Sequence, residues 1–180
     1  KYLVIYSDST HTNHYQILEA DNPNGQFREF HKREDGLEYS IAHFEDKFFV
    51  LTNWDAKNFR LMETPEKSTN QANWKEVIGH RDDVFLEGIE LFRNHLVVEE
   101  RKNGLMELRI IDERTKEEHY LEFQDPAYTA YSGTNPDFET DTFRFGYTSM
   151  STPSSVYDYD MNTREKILLK QAEVVGGYNV

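Results

Sequence analysis

Apolar and polar positions along this chain form short runs that follow the two-residue period of a β-strand, not the period of a helix. Residues 48–51 (Phe-Phe-Val-Leu) and 96–98 (Leu-Val-Val) are continuously apolar, as expected for strands that are covered on both faces. Residues 155–160 (Ser-Val-Tyr-Asp-Tyr-Asp) alternate, which suits a strand with one face towards solvent. The nearest approach to a helical pattern, residues 70–74, is short and polar. The pattern therefore predicts an all-β protein.

The predicted strands fall into a unit of four that recurs about every 47 residues. The segments between them contain suitable turn residues, such as Pro23 and Gly25, and the pair Asn103-Gly104 tolerates the positive φ angles of a tight hairpin. The predicted strands cover residues 2–7, 15–20 and 27–31; then 38–44, 47–52, 58–64 and 74–78; then 84–92, 95–101, 105–112 and 117–123; and finally 127–133, 142–149, 155–160 and 164–170.

Four antiparallel strands in a repeat of this length are typical of a β-propeller blade, and stacked blades bury the faces that one blade leaves exposed. We therefore predict a β-propeller fragment with three complete four-stranded antiparallel blades plus one partial blade. The expected limits are 1–36 for the partial blade and 37–80, 81–126 and 127–170 for the complete blades. A β-sandwich is the rival fold, but it has no reason to repeat in units of four strands.

The first unit lacks an innermost strand, and the chain begins inside the apolar run of residues 2–6 without an initiator Met. We therefore expect an excised piece of a longer protein. Either the ring is an open arc, or residues 171–180 supply the missing strand; the paired glycines at 176 and 177 make that strand a poor one, which favours the arc. An open arc exposes blade edges, so we predict a homodimer or a higher homo-oligomer.

The composition narrows the possible partners. The formal net charge is −13, which argues against nucleic acid and favours attraction of cationic ligands. There is no cysteine, so disulfides and thiolate metal sites are excluded, and we expect no cofactor. No apolar run approaches the roughly 20 residues that cross a bilayer, so we expect no membrane partner.

Four stretches resemble the oligopeptidase B (protease II) branch of the prolyl oligopeptidase family. They are residues 52–62 (Thr-Asn-Trp-Asp-Ala-Lys-Asn-Phe-Arg-Leu-Met), 80–87, 96–101 and 148–159, and the resemblance extends through essentially the whole chain. It implies a cytoplasmic two-domain serine peptidase in which a seven-bladed propeller caps an α/β-hydrolase domain. Such an enzyme cleaves short peptides after Arg or Lys, and its propeller keeps large folded substrates out. Residues 176–178 resemble the exit from the propeller, so 171–180 would be a linker towards the catalytic domain in cis.

The chain contains no Gly-x-Ser-x-Gly nucleophile elbow, so we assign no catalytic residue to it. The resemblance leaves an acidic patch as the candidate for gating short basic peptides: Asp82, Asp83 and Glu87, with Glu99-Glu100 as further members. The alternative is that these acids lie on a solvated face or pair with Arg81 and Arg101. A protein-binding propeller scaffold with no enzymatic parent is the alternative function, although its Trp-Asp signature occurs only once, at Trp54-Asp55.

Other residues allow two interpretations each. His11 and His14 form a close pair, but a metal site needs a third ligand, so we expect solvated loop histidines and no metal site. Asp158 and Asp160 share a strand face and could form a glycosidase pair, but Asp160 is better placed to start a turn. The aromatic side chains that could form a binding site more often belong to blade cores; they are Trp54, Phe59 and Trp74.

Overall fold

The computed structural model describes residues 1–176, which form four antiparallel sheets. One sheet has three strands and the other three have four, and each strand pairs with its neighbours in chain order. The three-stranded sheet contains β1 (Tyr2–Ser9), β2 (Thr12–Glu19) and β3 (Arg28–Glu29). The second contains β4 (Tyr39–Phe44), β5 (Lys47–Thr52), β6 (Arg60–Pro65) and β7 (Lys75–Ile78). The third contains β8 (Val84–Leu91), β9 (His95–Lys102), β10 (Leu105–Asp112) and β11 (Glu118–Tyr120). The fourth contains β12 (Tyr128–Ser132), β13 (Thr142–Ser149), β14 (Ser155–Asp160) and β15 (Lys166–Gln171).

This arrangement confirms the predicted fold class, a β-propeller fragment with three complete blades and one partial blade. The only helical element in residues 1–176 is a 3-10 turn at Gln71–Asn73, inside the one stretch whose pattern approached a helix. Gln171 still belongs to β15, and Gly177 and Tyr178, which carry part of the predicted propeller exit, lie outside the described residues. The limits proposed for each blade of an intact ring remain predictions.

Hairpins in this protein follow local turn chemistry. Asn103 and Gly104 have φ angles of 51° and 83° and connect β9 to β10, as the sequence predicts. At the end of β14 the Asp160 carboxylate accepts hydrogen bonds from the backbone N–H groups of Asn162 (2.9 Å) and Thr163 (2.8 Å). Asp160 therefore starts a turn, which confirms the interpretation preferred from the sequence.

The chain divides into two compact units, Lys1–Asp82 and Asp83–Val180. In the first unit the three-stranded sheet and the β4–β7 sheet share one apolar cluster. Burying a large apolar side chain fully contributes roughly 1.5–3 kcal/mol to folding, so this cluster stabilises the unit. Its buried members are Ile17, Phe30, Leu37, Tyr39, Phe48, Val50, Met62 and Trp74.

The second unit has its own core, built from the β8–β11 and β12–β15 sheets. Stacked rings are frequent in it; for example, the centroids of Phe123 and Tyr147 lie 5.1 Å apart at an interplanar angle of 15°. Its buried members are Phe92, Val97, Met106, Leu108, Ile110, Leu121, Ala130, Phe143, Phe145, Tyr147, Tyr159 and Met161. Within residues 1–176 there is no helix long and apolar enough to cross a membrane.

Candidate functional site

Glu87, one of the three candidate acids, lies on β8, an edge strand of its sheet, and Asp83 directly precedes that strand. Among residues 1–176 β8 pairs with β9 alone, so its other edge has no strand partner. The register shifts between Leu86 and Gly88, which leaves Glu87 as the extra residue of a β-bulge. A bulge bends an edge strand and turns the side chain of the extra residue in a new direction. The glycine after it matters too, because a Cβ at Gly88 would lie 3.3 Å from Oε2 of Glu99.

The three carboxylates that the sequence singles out each have a basic neighbour. Glu87 forms an ion pair with Arg101, the pairing that the sequence allowed as an alternative. Asp83 Oδ2 lies 3.6 Å from Nζ of Lys102, and both side chains are well exposed. Since Arg101 and Lys102 are successive residues of β9, their side chains point to opposite faces of the sheet. Asp83 and Glu87 therefore belong to two separate ion pairs.

Asp82, the third of these acids, is the last residue of the first unit. Its Oδ1 atom lies 3.5 Å from Nζ of Lys57, and the two side chains are 85% and 73% exposed. Exposed ion pairs of this kind contribute only about 0–1 kcal/mol, because water screens them and the side chains stay mobile. A cationic ligand could therefore displace the lysine from Asp82 at little cost.

Glu90, also on β8, was missed by the sequence analysis. Burial raises its pKa, and the nearby Glu99 carboxylate raises it further, so these two acids interact. Glu99 Oε1 also accepts a hydrogen bond from the backbone N–H of Ser132, at 3.1 Å. Gly88, two residues before Glu90, could have indicated it. A glycine inside a strand often marks a bulge, and a bulge changes which face of the sheet the following side chains point to.

Glu100 is not part of any exposed acidic patch, which corrects the grouping of Glu99 with Glu100. Its side chain is wholly buried and forms an ion pair with Arg109, and its Oε2 atom accepts a 2.9 Å hydrogen bond from the Tyr120 hydroxyl. Arg109 also contacts Glu118, with Nη1 3.2 Å from Oε2. Glu100 therefore links β9, β10 and β11 inside the sheet, while Glu99 lies on the opposite face.

Only one histidine of the predicted pair, His11, lies in a loop. His11 is exposed in the turn after β1, but His14 is buried on β2, so the expectation of a solvated His14 is wrong. Its Nε2 atom lies 3.3 Å from Oε1 of Glu29 on the neighbouring β3. Over the part of the chain that is described, no group of three or more His, Asp or Glu side chains could hold a metal ion.

The remaining candidates have structural contacts. Trp54 and Trp74 lie 6.1 Å apart between ring centroids, and the indole N–H of Trp74 donates a 2.9 Å hydrogen bond to the Thr69 carbonyl, so both belong to the first unit's core region. Asp158 accepts two hydrogen bonds from Arg144, at 2.8 and 2.9 Å. This bidentate contact occupies the carboxylate that a glycosidase pair would require.

Comparison with known proteins shows that the chain is similar to part of several peptidases. Residues 1–172 match the family model described as "Prolyl oligopeptidase, N-terminal beta-propeller domain". Dipeptidyl aminopeptidase BI of Pseudoxanthomonas mexicana is 38% identical over 177 residues, covering 98% of this chain and 24% of that protein. Protease 2 of Moraxella lacunata is 27% identical over 180 residues, covering 99% of this chain and 25% of that protein.

Solved structures give the same result for the fold. Oligopeptidase B from Leishmania major superposes with a TM-score of 0.88 at 26% identity, over 99% of this chain and 26% of that one. Oligopeptidase B from Trypanosoma brucei, in a closed form with covalently bound antipain, gives a TM-score of 0.88 at 27% identity, over 99% of this chain and 27% of that one. The chain thus spans about a quarter of the length of the relatives it matches.

Proposed function

Because this chain belongs to the prolyl oligopeptidase family of serine peptidases, we propose that it is a non-catalytic β-propeller segment of an oligopeptidase B-like enzyme. The whole enzyme would be cytoplasmic and would hydrolyse short peptides after Arg or Lys in an α/β-hydrolase domain supplied in cis. The propeller segment would limit which substrates reach that domain. The observation that carries this proposal is the match of the propeller family model to residues 1–172. A scaffold with no enzymatic parent has no comparable support.

The charge of the segment supports a role in attracting substrate. Acidic residues outnumber Lys and Arg by 33 to 20, and a field of one sign raises the association rate of ligands of the opposite sign. Asp82 and Asp83 are highly exposed, and Glu87 sits at a bulge on an unpaired strand edge. We propose that Asp82 in the first unit, and Asp83 and Glu87 in the second, each attract the basic side chains of incoming peptides, exchanging their lysine and arginine partners for them.

The experiment compares intact enzyme with the triple variant Asp82→Asn, Asp83→Asn, Glu87→Gln. We expect kcat/KM for an Arg-containing peptide to fall about tenfold at low ionic strength, and the deficit to shrink with added salt because salt screens exposed charges. A control with equal charge loss away from β8 is Asp21→Asn, Glu34→Gln, Glu173→Gln, whose three acids are also exposed. Equal effects in the two triple variants, or no salt dependence in either, would contradict the steering role while leaving family membership intact.

A second candidate activity comes from the relative with 38% identity, which is named as a dipeptidyl aminopeptidase. An enzyme that removes dipeptides from an amino terminus must recognise the terminal ammonium group, and carboxylates such as Glu90 and Glu99 are chemically suited to it. The two activities separate on a matched pair of peptides with free and acetylated amino termini. An oligopeptidase cleaves both, whereas a dipeptidyl aminopeptidase requires the free amine.

A further inference from the structure

A groove in the second unit lies apart from the acidic candidate site, beside β11 and the turn between β14 and β15. Its volume is about 470 Å³, and the residues that matter for its chemistry are His119, Phe123, Tyr159, Arg164 and Lys166. Pockets that hold small organic ligands are typically about 300–1,000 Å³, so the groove is large enough for one. It does not depend on the proposed peptidase function.

Two cations of this groove lack the carboxylate partners that arginines in the same unit have. Arg101 and Arg144 form ion pairs with Glu87 and Asp158. In contrast, no carboxylate oxygen among residues 1–176 lies within 4.0 Å of the charged nitrogens of Arg164 or Lys166. The chain has 13 more acidic than basic residues, so most cations have an acidic neighbour available. Two cations without a carboxylate partner in one groove are therefore unusual in this protein. The two charges are exposed and available to a ligand.

The turn geometry holds Arg164 at the groove. Arg164 has a φ angle of 65°, and its backbone N–H donates a 2.8 Å hydrogen bond to the Asp160 carbonyl. The same turn is fixed by the hydrogen bonds that the Asp160 carboxylate accepts from Asn162 and Thr163. The backbone that carries the guanidinium is therefore ordered before any ligand arrives, which lowers the entropic cost of binding.

Lys166 is held by aromatic rings in place of an acid. Its Nζ atom lies 5.8 Å from the ring centroid of Phe123 and 5.4 Å from that of Tyr157, within the range of cation–π attraction. His119 Nε2 lies 2.7 Å from the Tyr159 hydroxyl, which adds a polar pair to the wall. Glu122 also lines the groove and is exposed, so it is the carboxylate that an anionic ligand would have to approach.

We propose that this groove binds a small aromatic oxyanion, with its phosphate or sulfate group at Arg164 and Lys166 and its ring against Phe123. A guanidinium presents a planar set of donors that matches the oxygens of such a group, and a lysine adds a point charge. The Phe123 ring next to Lys166 provides a surface on which a flat ring stacks.

Calorimetric titration of the full 180-residue chain with phenyl phosphate tests the proposal. We expect saturable one-site binding that weakens about tenfold or more in Arg164→Gln, Lys166→Gln, because two charge-assisted contacts are lost. The matched control is Arg33→Gln, Lys170→Gln, which removes the same charges at exposed positions outside the groove and should bind as the parent does. Thermal unfolding followed by circular dichroism confirms that each variant is folded.

Two further arms make the assignment specific. Glu122→Gln should tighten phenyl phosphate binding, because it removes the negative charge nearest the ligand without altering the cations. Inorganic phosphate should bind more weakly than phenyl phosphate, because it lacks the ring. Absence of saturable binding, or equal affinity in the groove and control double variants, would overturn the proposal. Equal affinity for the two phosphates would overturn the part that assigns the ring to Phe123.

Discussion

Glu90, on β8, lies in an environment that its place in the sequence does not suggest. Burial and the Glu99 carboxylate both raise its pKa above the ordinary value of 4.5. A carboxyl group with a raised pKa holds its proton more tightly in the folded state than in the unfolded one. Its ionisation therefore subtracts from stability as pH rises through the unfolded pKa towards the folded one, and the cost is complete above the folded pKa.

We predict that Glu90→Gln raises the midpoint of urea unfolding at pH 7, because the amide keeps the shape of this half-buried side chain without its charge. The gain should disappear below pH 4, where Glu90 is protonated in both states. Glu173→Gln, on an exposed side chain, serves as the control. An unchanged or lower midpoint for Glu90→Gln at pH 7 would show that the negative charge is not the unfavourable part of this contact.

For single residues, turn chemistry could be predicted from the sequence, whereas burial could not. Asp160 was predicted to start a turn because its hydrogen-bond partners lie two and three residues ahead. Glu100 was misassigned because its partner Arg109 comes from the next strand, and only the pairing register brings the two together. His14 was misassigned for the same reason, since its partner Glu29 lies on β3, the strand that pairs with β2.

Among the elements, the β9–β10 hairpin depends on one glycine. Gly104 has a φ angle of 83°, where a Cβ is strained, although nothing lies within 4 Å of the Cβ position. We predict that Gly104→Ala lowers the free energy of unfolding by about 1 kcal/mol through backbone strain alone. Denaturant unfolding measures it.

The matched control for that hairpin is Gly79→Ala. Gly79 does not have a positive φ angle, and its added Cβ would meet only the flexible end of the Glu76 side chain, at 3.1 Å. Its cost should therefore be smaller than that of Gly104→Ala. A larger loss at Gly79 than at Gly104 would mean that steric contact, and not the turn conformation, sets the stability of these glycine positions.

Strand existence was predictable from the sequence, whereas strand ends and irregularities were less so. The bounds of β5, β10, β13 and β14 agree with the prediction, because each is an apolar or alternating run that ends at a turn signal. The outermost strands β3 and β11 are shorter than expected, since only a few of their residues find a pairing register. The bulge at Glu87 arises from pairing with β9; Gly88 is a local sign of a bulge, but the register of that pairing cannot be predicted from the strand alone.

At the scale of the whole chain, the strands β1 and β15 expose apolar residues on a free sheet edge. Among residues 1–176 each pairs on one side only, β1 with β2 and β15 with β14. Val4 and Ile5 are 48% and 44% exposed, and Ile167 and Leu168 are 60% and 48% exposed. Unpaired backbone groups beside apolar side chains offer a template for strand pairing with a second copy.

We therefore predict that the 180-residue chain self-associates, and that Val4→Lys, Leu168→Lys shifts it to the monomer, because a charged side chain on an edge strand cannot be desolvated cheaply. Met150→Lys is the control: Met150 is 98% exposed but lies on a loop with no strand edge, so a lysine there should leave the association unchanged. Sedimentation velocity over a range of concentrations reports the species present. A monomer at every concentration for the unmodified chain would contradict the prediction, and equal dissociation by the loop lysine would show that added charge, and not the blocked edges, separates the copies.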